Sequence, residues 1–429
     1  MPATVVIGGQ WGDEGKGRIV DLLAQRATIV ARYSAGNNAG HTVINHLGTF
    51  KLNLVPAGIF YADKTCIIGN GMALDVRRLL EEIEQLEARG VSTQRLRVSD
   101  RAHVIMPWHP IIDRLDEELR GPLAVGTTGR GVGPAFADKV GRIGVRVADL
   151  VDGVRFPDRL RYVLDYKNRV LTRLYEAEPL DYKTVLAQYQ DFGARLEPFV
   201  ADTAVMVQQA LDRGEEVLLE GAQGALLDLD FGTYEFVTSS VPSSSAAGAA
   251  LGIGIGPNEI SRTVGVYKAY QTRVGGGPMP TELFDEVGAH IADRAQEFGT
   301  TTGRARRCGW FDAVAAAYTR RLNGLTSAVV TRLDVLDDLP EIKICTAYQL
   351  DGVRIDTFPA SSTALAECGP VLETLPGWQQ PTSDVRRFAD LPAAAQGYVR
   401  RIEELLGCPV DLVSVGPERE QAIWVREII

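Results

Sequence analysis

Between residues 5 and 21 the chain reads VVIGGQWGDEGKGRIVD, with five glycines (Gly8, Gly9, Gly12, Gly15 and Gly17) in ten positions. Glycine loses more conformational freedom on folding than any other residue, so this density needs a reason. A strand, a Gly-rich turn and a helix aim backbone N–H groups and a helix N-terminus at an anion. Lys16 adds a mobile positive charge. The pattern is that of a phosphate loop, G-x-x-x-x-G-K-[ST], with two departures. Gln10 stands where the first Gly is expected, and Gly17 stands where a hydroxyl would hold magnesium. The nearest hard-oxygen ligand is then Asp13, inside the loop. Magnesium takes one or two protein oxygens beside phosphates and water, and Asp13 can supply one. It can equally face a substrate proton as a general base, or serve both ends.

Five further stretches carry chemistry. NNAGHT, Asn37 to Thr42, sets His41, a proton donor near neutral pH, beside a Gly that allows close backbone approach. SAVVTRLD, Ser327 to Asp334, reads as a strand ending in T-R-x-D. Asp334 can accept from a guanine ring N–H and amino group while the Arg332 stem lies on the base; adenine offers no such donor pair. GTTTGRARR, Gly299 to Arg307, gathers Thr and Arg around a Gly, and Arg binds carboxylate or phosphate in a bidentate fashion. GTTGRGVGP, Gly126 to Pro134, followed by Asp138, Lys139 and Arg142, is a second Gly-rich polar loop, fit for a second phosphoryl ligand. EGAQGA and YEFVTSS put Gln223 and Thr238 near a strand end, where ligands sit in open α/β sheets. His46, His103, His109 and His290 receive no functional reading.

The elements that must position these residues follow from hydrophobic spacing. A buried strand is expected over 3–8 and a helix over 16–25. Apolar strands are expected at 27–33, 65–69, 217–220, 263–270, 327–331, 341–348 and 410–415, with helices at 72–88 and 201–213 among those between them. The alternation predicts an α/β fold with a large, mainly parallel sheet flanked by helices. The charged segment EEIEQLEARG, 81–90, reads as the solvated face of a helix. A single domain is expected, with a helical insertion at about 151–213. The chain has 429 residues, 45% hydrophobic and 23% charged, with a net charge of −10. That balance argues against a non-specific nucleic-acid binder, while leaving room for a local basic pocket. Five Cys without a C-x-x-C pair read as reduced thiols, not a disulfide frame or zinc site. No signal-like start or run of about 18 apolar residues is present, so a cytoplasmic protein without a membrane partner is expected.

Together the stretches QWGDEGKG, NNAGHT, GTTGRGVGPAF-x-DK, EGAQG, YEFVTSS, TRVGGGPMPTEL, TTGR-x-RRCGW, T-x-LDVLD and SVGP closely resemble the adenylosuccinate synthetase family, in its order, over about residues 5–417. The resemblance implies that IMP, L-aspartate and GTP give adenylosuccinate, GDP and phosphate through 6-phosphoryl-IMP, the committed step toward AMP. It implies Asp13 as base and magnesium ligand, the Gly40 carbonyl as a second ligand to one Mg²⁺ per subunit, Lys16 at the phosphates and His41 as the acid assisting GDP departure. It implies GTP contacts from Gly12 to Arg18, Gly40, His41, Thr42, Arg306, Arg332, Leu333, Asp334, Ser414, Val415 and Gly416. IMP contacts would come from Asp13, Glu14, Gly15, Lys16, Asn38, Ala39, Gly40, His41, Thr128, Gln223, Thr238 and Arg304. Arg142 would reach IMP from the neighbouring subunit of a homodimer. Thr300, Thr301, Thr302, Gly303, Arg304, Ala305 and Arg306 would hold the aspartate. Arg332, Ala305 and Arg18 stand where Lys, Arg and Lys are common in the family. The competing reading is a GTP-binding switch without a second substrate, which has no need for the 126–142 loop or the 300–307 turn.

Overall fold

The computed structural model describes residues 3–45, 47–243, 245–298 and 306–429. Its frame is a ten-stranded sheet. In chain order the strands are β1 (Ala3–Gly8), β2 (Ile29–Arg32), β3 (Thr65–Ile68), β4 (Leu96–Ser99), β5 (Val200–Ala201), β6 (Val217–Glu220), β7 (Ile260–Lys268), β8 (Ser327–Thr331), β9 (Val410–Ser414) and β10 (Ala422–Trp424). Across the sheet they run β5-β4-β3-β2-β6-β1-β7-β8-β9-β10. Every pairing is parallel except β9 with β10.

Parallel strands need both faces covered, and alternate residues point to opposite faces. Val6, Val30, Leu218, Val266 and Val329 belong to one buried cluster. Val5, Ile29, Ala31, Leu219 and Val330 belong to the other. The central strands are therefore largely apolar, with charged residues such as Arg32, Glu220 and Lys268 at their carboxyl ends, which is why they are legible as continuous runs.

Two expectations are refined. The 72–88 stretch divides into a strand, Met72–Leu74, and a helix, Val76–Ala88, because Asp75 caps the helix by accepting from the Arg78 N–H. The 341–348 strand forms as Glu341–Leu350 but joins a separate sheet, antiparallel with Val353–Ile355 and Gly369–Pro376 and parallel with Phe311–Asp312. The 81–90 segment holds one correction. Glu82 is buried, and its carboxylate accepts the backbone N–H groups of Asn53, Leu54 and Val55 at 2.8, 3.1 and 3.1 Å. A charged residue on an amphipathic helix is expected on the solvated face, but Glu82 satisfies a backbone turn that has no ladder of its own.

Helices Phe156–Leu174, Tyr182–Leu196 and Thr203–Asp212 occupy the long stretch before β6. All five cysteines are buried free thiols. Among the described residues no helix is long and apolar enough to cross a membrane.

Candidate active site

β1 stops at Gly8 and helix Lys16–Ala24 begins eight residues later. The intervening loop is held from inside. Glu14 is fully buried; its Oε1 accepts the N–H groups of Gln10 (3.1 Å) and Gly12 (2.8 Å), and its Oε2 pairs with Lys16 Nζ at 2.6 Å. Gln10 ties the loop to the end of β7: its amide donates to the carbonyls of Lys268 (3.3 Å) and Tyr270 (3.0 Å) and accepts from the Lys268 N–H (3.0 Å). Thr331, the last residue of β8, donates to the Glu14 carbonyl at 2.7 Å. Gln10 thus replaces a loop Gly with a staple. Gly17 has a different cause. A Cβ there would lie 2.8 Å from Cβ of His41 and 3.1 Å from its ring. The position where a hydroxyl was expected is occupied by the approach of His41.

His41 opens a short hairpin, His41–Asn45 with Gly48–Leu52. Its Nδ1 lies 3.4 Å from Glu220 Oε1, at the end of β6, and its buried Nε2 has no hydrogen-bond partner among the described residues. Burial, then the nearby Arg32 and Lys16 charges, push the His41 pKa well below the ordinary value, so the imidazole is neutral near pH 7. Glu220 lies opposite Arg32 Nε (3.8 Å), accepts from the Ala57 N–H (2.8 Å), and is pushed up by burial. Asp13 sits at φ 61°, a left-handed conformation that Asp tolerates better than most residues, with its carboxylate one-third exposed. Its Oδ2 accepts from Arg306 Nε at 2.8 Å.

The other expected residues arrive from the carboxyl ends of neighbouring strands, where open α/β sheets bind ligands. Beyond β8, Arg332 adopts φ 62° and donates to the Ala295 carbonyl (3.2 Å). Asp334 follows; burial raises its pKa, and its buried Oδ1 has no hydrogen-bond partner among the described residues. At the end of β9, Ser414 and Gly416 accept hydrogen bonds from the Arg18 guanidinium, which also reaches the Glu418 carbonyl. Burial lowers the Arg18 pKa to about 10, so it stays charged. Beyond β6, Gln223 takes φ 52°. Non-Gly residues at positive φ are uncommon and cluster at functional sites; Asp13, Gln223 and Arg332 all have this conformation. Thr128 lies in a loop held by helix Trp108–Arg120. Glu117 Oε2 accepts the N–H groups of Gly126 (2.7 Å) and Thr127 (3.0 Å), and Asp113 Oδ2 accepts that of Gly131 (2.8 Å).

One cleft of about 1010 Å³ is lined by Gly12 through Arg18, Asn38 through Thr42, Thr128, Gln223, Thr238, Arg306, Arg332, Ser414 and Gly416. Leu333 and Val415 are fully buried, and with Asp334 they are not part of the cleft wall. Arg142 is exposed, has φ 61°, and does not line the cleft of its own chain. Thr300 to Ala305, Arg304 included, lie outside the described residues. Arg32, Lys268, Arg273 and Glu297, all buried, stand among the charged residues that the sequence motifs leave without a role. Nothing in the local sequence marks a charged residue as buried when its partner is remote along the chain.

The adenylosuccinate synthetase family profile matches residues 5–423. The chain belongs to the adenylosuccinate synthetase family. It is 52% identical over 424 residues to the adenylosuccinate synthetase of Dehalococcoides mccartyi strain 195, covering 99% of this chain and 100% of the relative. It is also 52% identical to that of Heliobacterium modesticaldum over 427 residues, covering 100% of each chain to the nearest per cent. The structure of fully ligated adenylosuccinate synthetase from Plasmodium falciparum superposes with a TM-score of 0.93 at 35% identity, covering 99% of this chain and 100% of that one. A cyanophage S-2L succinoaminodeoxyadenylate synthetase, at 20% identity and a TM-score of 0.61, shares the fold. An adenylosuccinate synthetase is a ligase of purine and AMP biosynthesis: it joins IMP to L-aspartate, driven by GTP, with release of GDP and phosphate. That is the activity of this chain, and the GTP-switch reading is not favoured.

Proposed function

We propose that the ligation runs through 6-phosphoryl-IMP, with Asp13, Lys16 and His41 as the reacting groups. The amide-like C6 oxygen of IMP is a poor leaving group. Asp13 takes the N1 proton, which makes that oxygen nucleophilic toward the γ-phosphorus of GTP. Lys16 offsets charge that develops on the transferring phosphoryl group. The aspartate amine then displaces phosphate from C6. His41 hydrogen-bonds the departing GDP. It is neutral without ligand, so its cationic form must be drawn out by the anionic phosphates and by Glu220.

Asp13 and the Gly40 carbonyl belong to one cleft and offer only hard oxygens, which fits a single Mg²⁺ that keeps waters and phosphate oxygens. Bound there, the ion would neutralise phosphate charge. Asn38, Ala39, Thr128, Gln223, Thr238 and Arg304 are assigned to IMP, Thr300 to Arg306 to aspartate, and Arg332 to Asp334 with Ser414 to Gly416 to guanine. Asp334 Oδ1, without a partner among the described residues, supports the last, because a buried carboxylate oxygen left so is costly until a donor arrives. The exposed Arg142 is assigned to the IMP site of a partner subunit in a homodimer. The free thiols support a cytoplasmic location.

The observation that carries this reading is that phosphate loop, His41 segment, Thr128, Gln223, Thr238 and Arg306 face one cleft. The test mixes protein, Mg²⁺, GTP, IMP and aspartate, omits each in turn, and follows purine absorbance and GDP. Product must require all three substrates; GDP release indifferent to IMP and aspartate would favour the switch. Asp13→Asn keeps the left-handed backbone accessible and should lower turnover by about 10²–10⁴. Turnover within about tenfold of the parent, less than general-base help is usually worth, refutes the base role.

A further inference from the structure

Behind Asp13 runs a row of charges of alternating sign. Lys268, the last residue of β7, is 2.8 Å from Glu297 Oε1 and donates to Thr272 Oγ1 at 2.8 Å. Tyr270 donates to the same Oε1 at 2.5 Å. Glu297 lies two residues past helix Glu286–Ala295, and its Oε2 accepts from Arg306 Nη1 at 2.5 Å. The Arg306 backbone N–H also donates to the Glu297 carbonyl, at 2.9 Å, so the two residues are tied twice. Arg306 Nε completes the row on Asp13 Oδ2 at 2.8 Å. The inner pair is sealed and the outer pair opens toward the cleft: side-chain exposure is 2% for Lys268 and 0% for Glu297, then 8% for Arg306 and 32% for Asp13.

Three of these four charges are buried. Burying an ion pair is no efficient route to stability, since well-packed apolar residues often do as well or better. What the row does supply is direction. A guanidinium presents its donors in a rigid planar fork, and fixing two of its nitrogens fixes the plane. Glu297 holds Nη1 and Asp13 holds Nε, and among the described residues Nη2 is left as the nitrogen to assign to an incoming carboxylate.

We propose that Glu297, backed by Lys268, is a positioning residue of the ligase reaction: it sets the plane of the Arg306 guanidinium against Asp13 so that Arg306 meets the aspartate substrate correctly oriented. This rests on the reading of Arg306 as an aspartate contact. Glu297 touches no substrate and acts through Arg306.

The experiment measures KM for each substrate in Glu297→Gln, Arg306→Ala and the double variant, with thermal midpoints alongside. Glu297→Gln should raise the aspartate KM about tenfold or more, the scale of losing a buried charge-assisted hydrogen bond, and leave the IMP KM within about twofold. In the Arg306→Ala background the same change should alter the aspartate KM by no more than about twofold, since residues that act through one another are not additive. An unchanged aspartate KM in Glu297→Gln, a parallel rise for all substrates, or a further rise on top of Arg306→Ala overturns the proposal. Should Glu297→Gln fail to fold for want of a partner to Lys268, the charge-neutral Lys268→Met/Glu297→Gln variant is held to the same outcomes. If Arg306→Ala itself leaves the aspartate KM unchanged, the reading of Arg306 falls and takes the inference with it. If Arg306→Ala is impaired and Glu297→Gln is not, the inference alone fails.

Discussion

Gly17 and His41 share one space, and that sharing decides what the phosphate loop can carry. Any side chain at 17 would start 2.8 Å from Cβ of His41, so a magnesium-binding hydroxyl and this His cannot coexist there. Of the two loop carboxylates, Glu14 is committed to the loop's own N–H groups and Lys16, so Asp13 is the hard oxygen we propose in place of that hydroxyl. Gly17→Ala separates packing from chemistry. Ala is preferred over Gly within a helix by about 1 kcal/mol, while overpacking costs about 1–3 kcal/mol, so the net change in stability should be small. The His41 ring, however, must move. A displacement of about 1 Å at a reacting group can cost about 10² in rate. Turnover should therefore drop by about 10–10², with the thermal midpoint nearly unchanged. Turnover within about twofold of the parent, a smaller loss than misplacement of that size brings, would mean that His41 is not held where the chemistry needs it.

At the scale of elements, the sequence was legible wherever local pattern decides structure. β1, β2, β3, β6, β8 and β9 fall on apolar runs because both faces of each are covered. The capped division at Asp75 and the buried Glu82 were not legible, since a carboxylate's backbone partners lie in other segments. The same holds in the site: Asp13, Lys16 and His41 stand in recognisable strings, whereas Glu297 and Lys268 are 29 residues apart and meet only in the fold. His103 is another such case. It forms a short strand with Val104, and the segment from helix Val132–Val140 onward brings Lys139 and Arg146 toward it, with Arg159 beyond. Burial first, then these cations and His109, lower its pKa to about 4. The sign follows from linkage. Because the folded value is depressed, the unfolded chain takes the proton first. This contribution to stability is whole above pH 6.5, declines as pH falls toward about 4, and is constant below that. The span is on the order of 3 kcal/mol. His103→Asn cannot take up the proton, so its unfolding free energy should depend less steeply on pH between 6.5 and 4 than the parent's. Equal slopes in urea titrations across that window would show that His103 is not the group responsible.

Across the whole molecule, the sheet order gathers the proposed site residues at one edge. β6, β1, β7, β8 and β9 are consecutive neighbours, and their carboxyl ends deliver Gln223, the phosphate loop, Lys268, Arg332 with Asp334, and Ser414 with Gly416. Substrate sites for a base, a triphosphate and an amino acid can then share one cleft without long connections. Arg142 is the exception, exposed and absent from that cleft, which a two-fold assembly resolves if each protomer lends its Arg to the other. Such sharing has an arithmetic consequence. Subunits carrying Asp13→Asn and subunits carrying Arg142→Leu should each be inactive alone. In a hybrid dimer, one site combines both lesions and stays dead. The other joins an intact Asp13 to an intact Arg142 from the partner. Random reassortment of equal amounts makes half the dimers hybrid, so activity should recover to about one quarter of the parent's for a symmetric dimer. Recovery that scales with the hybrid fraction, counted by native mass spectrometry, ties each active site to two chains. Confirmed hybrids with no regained activity would place Arg142 outside the reaction, and a fully active Arg142→Leu homodimer would do so more directly.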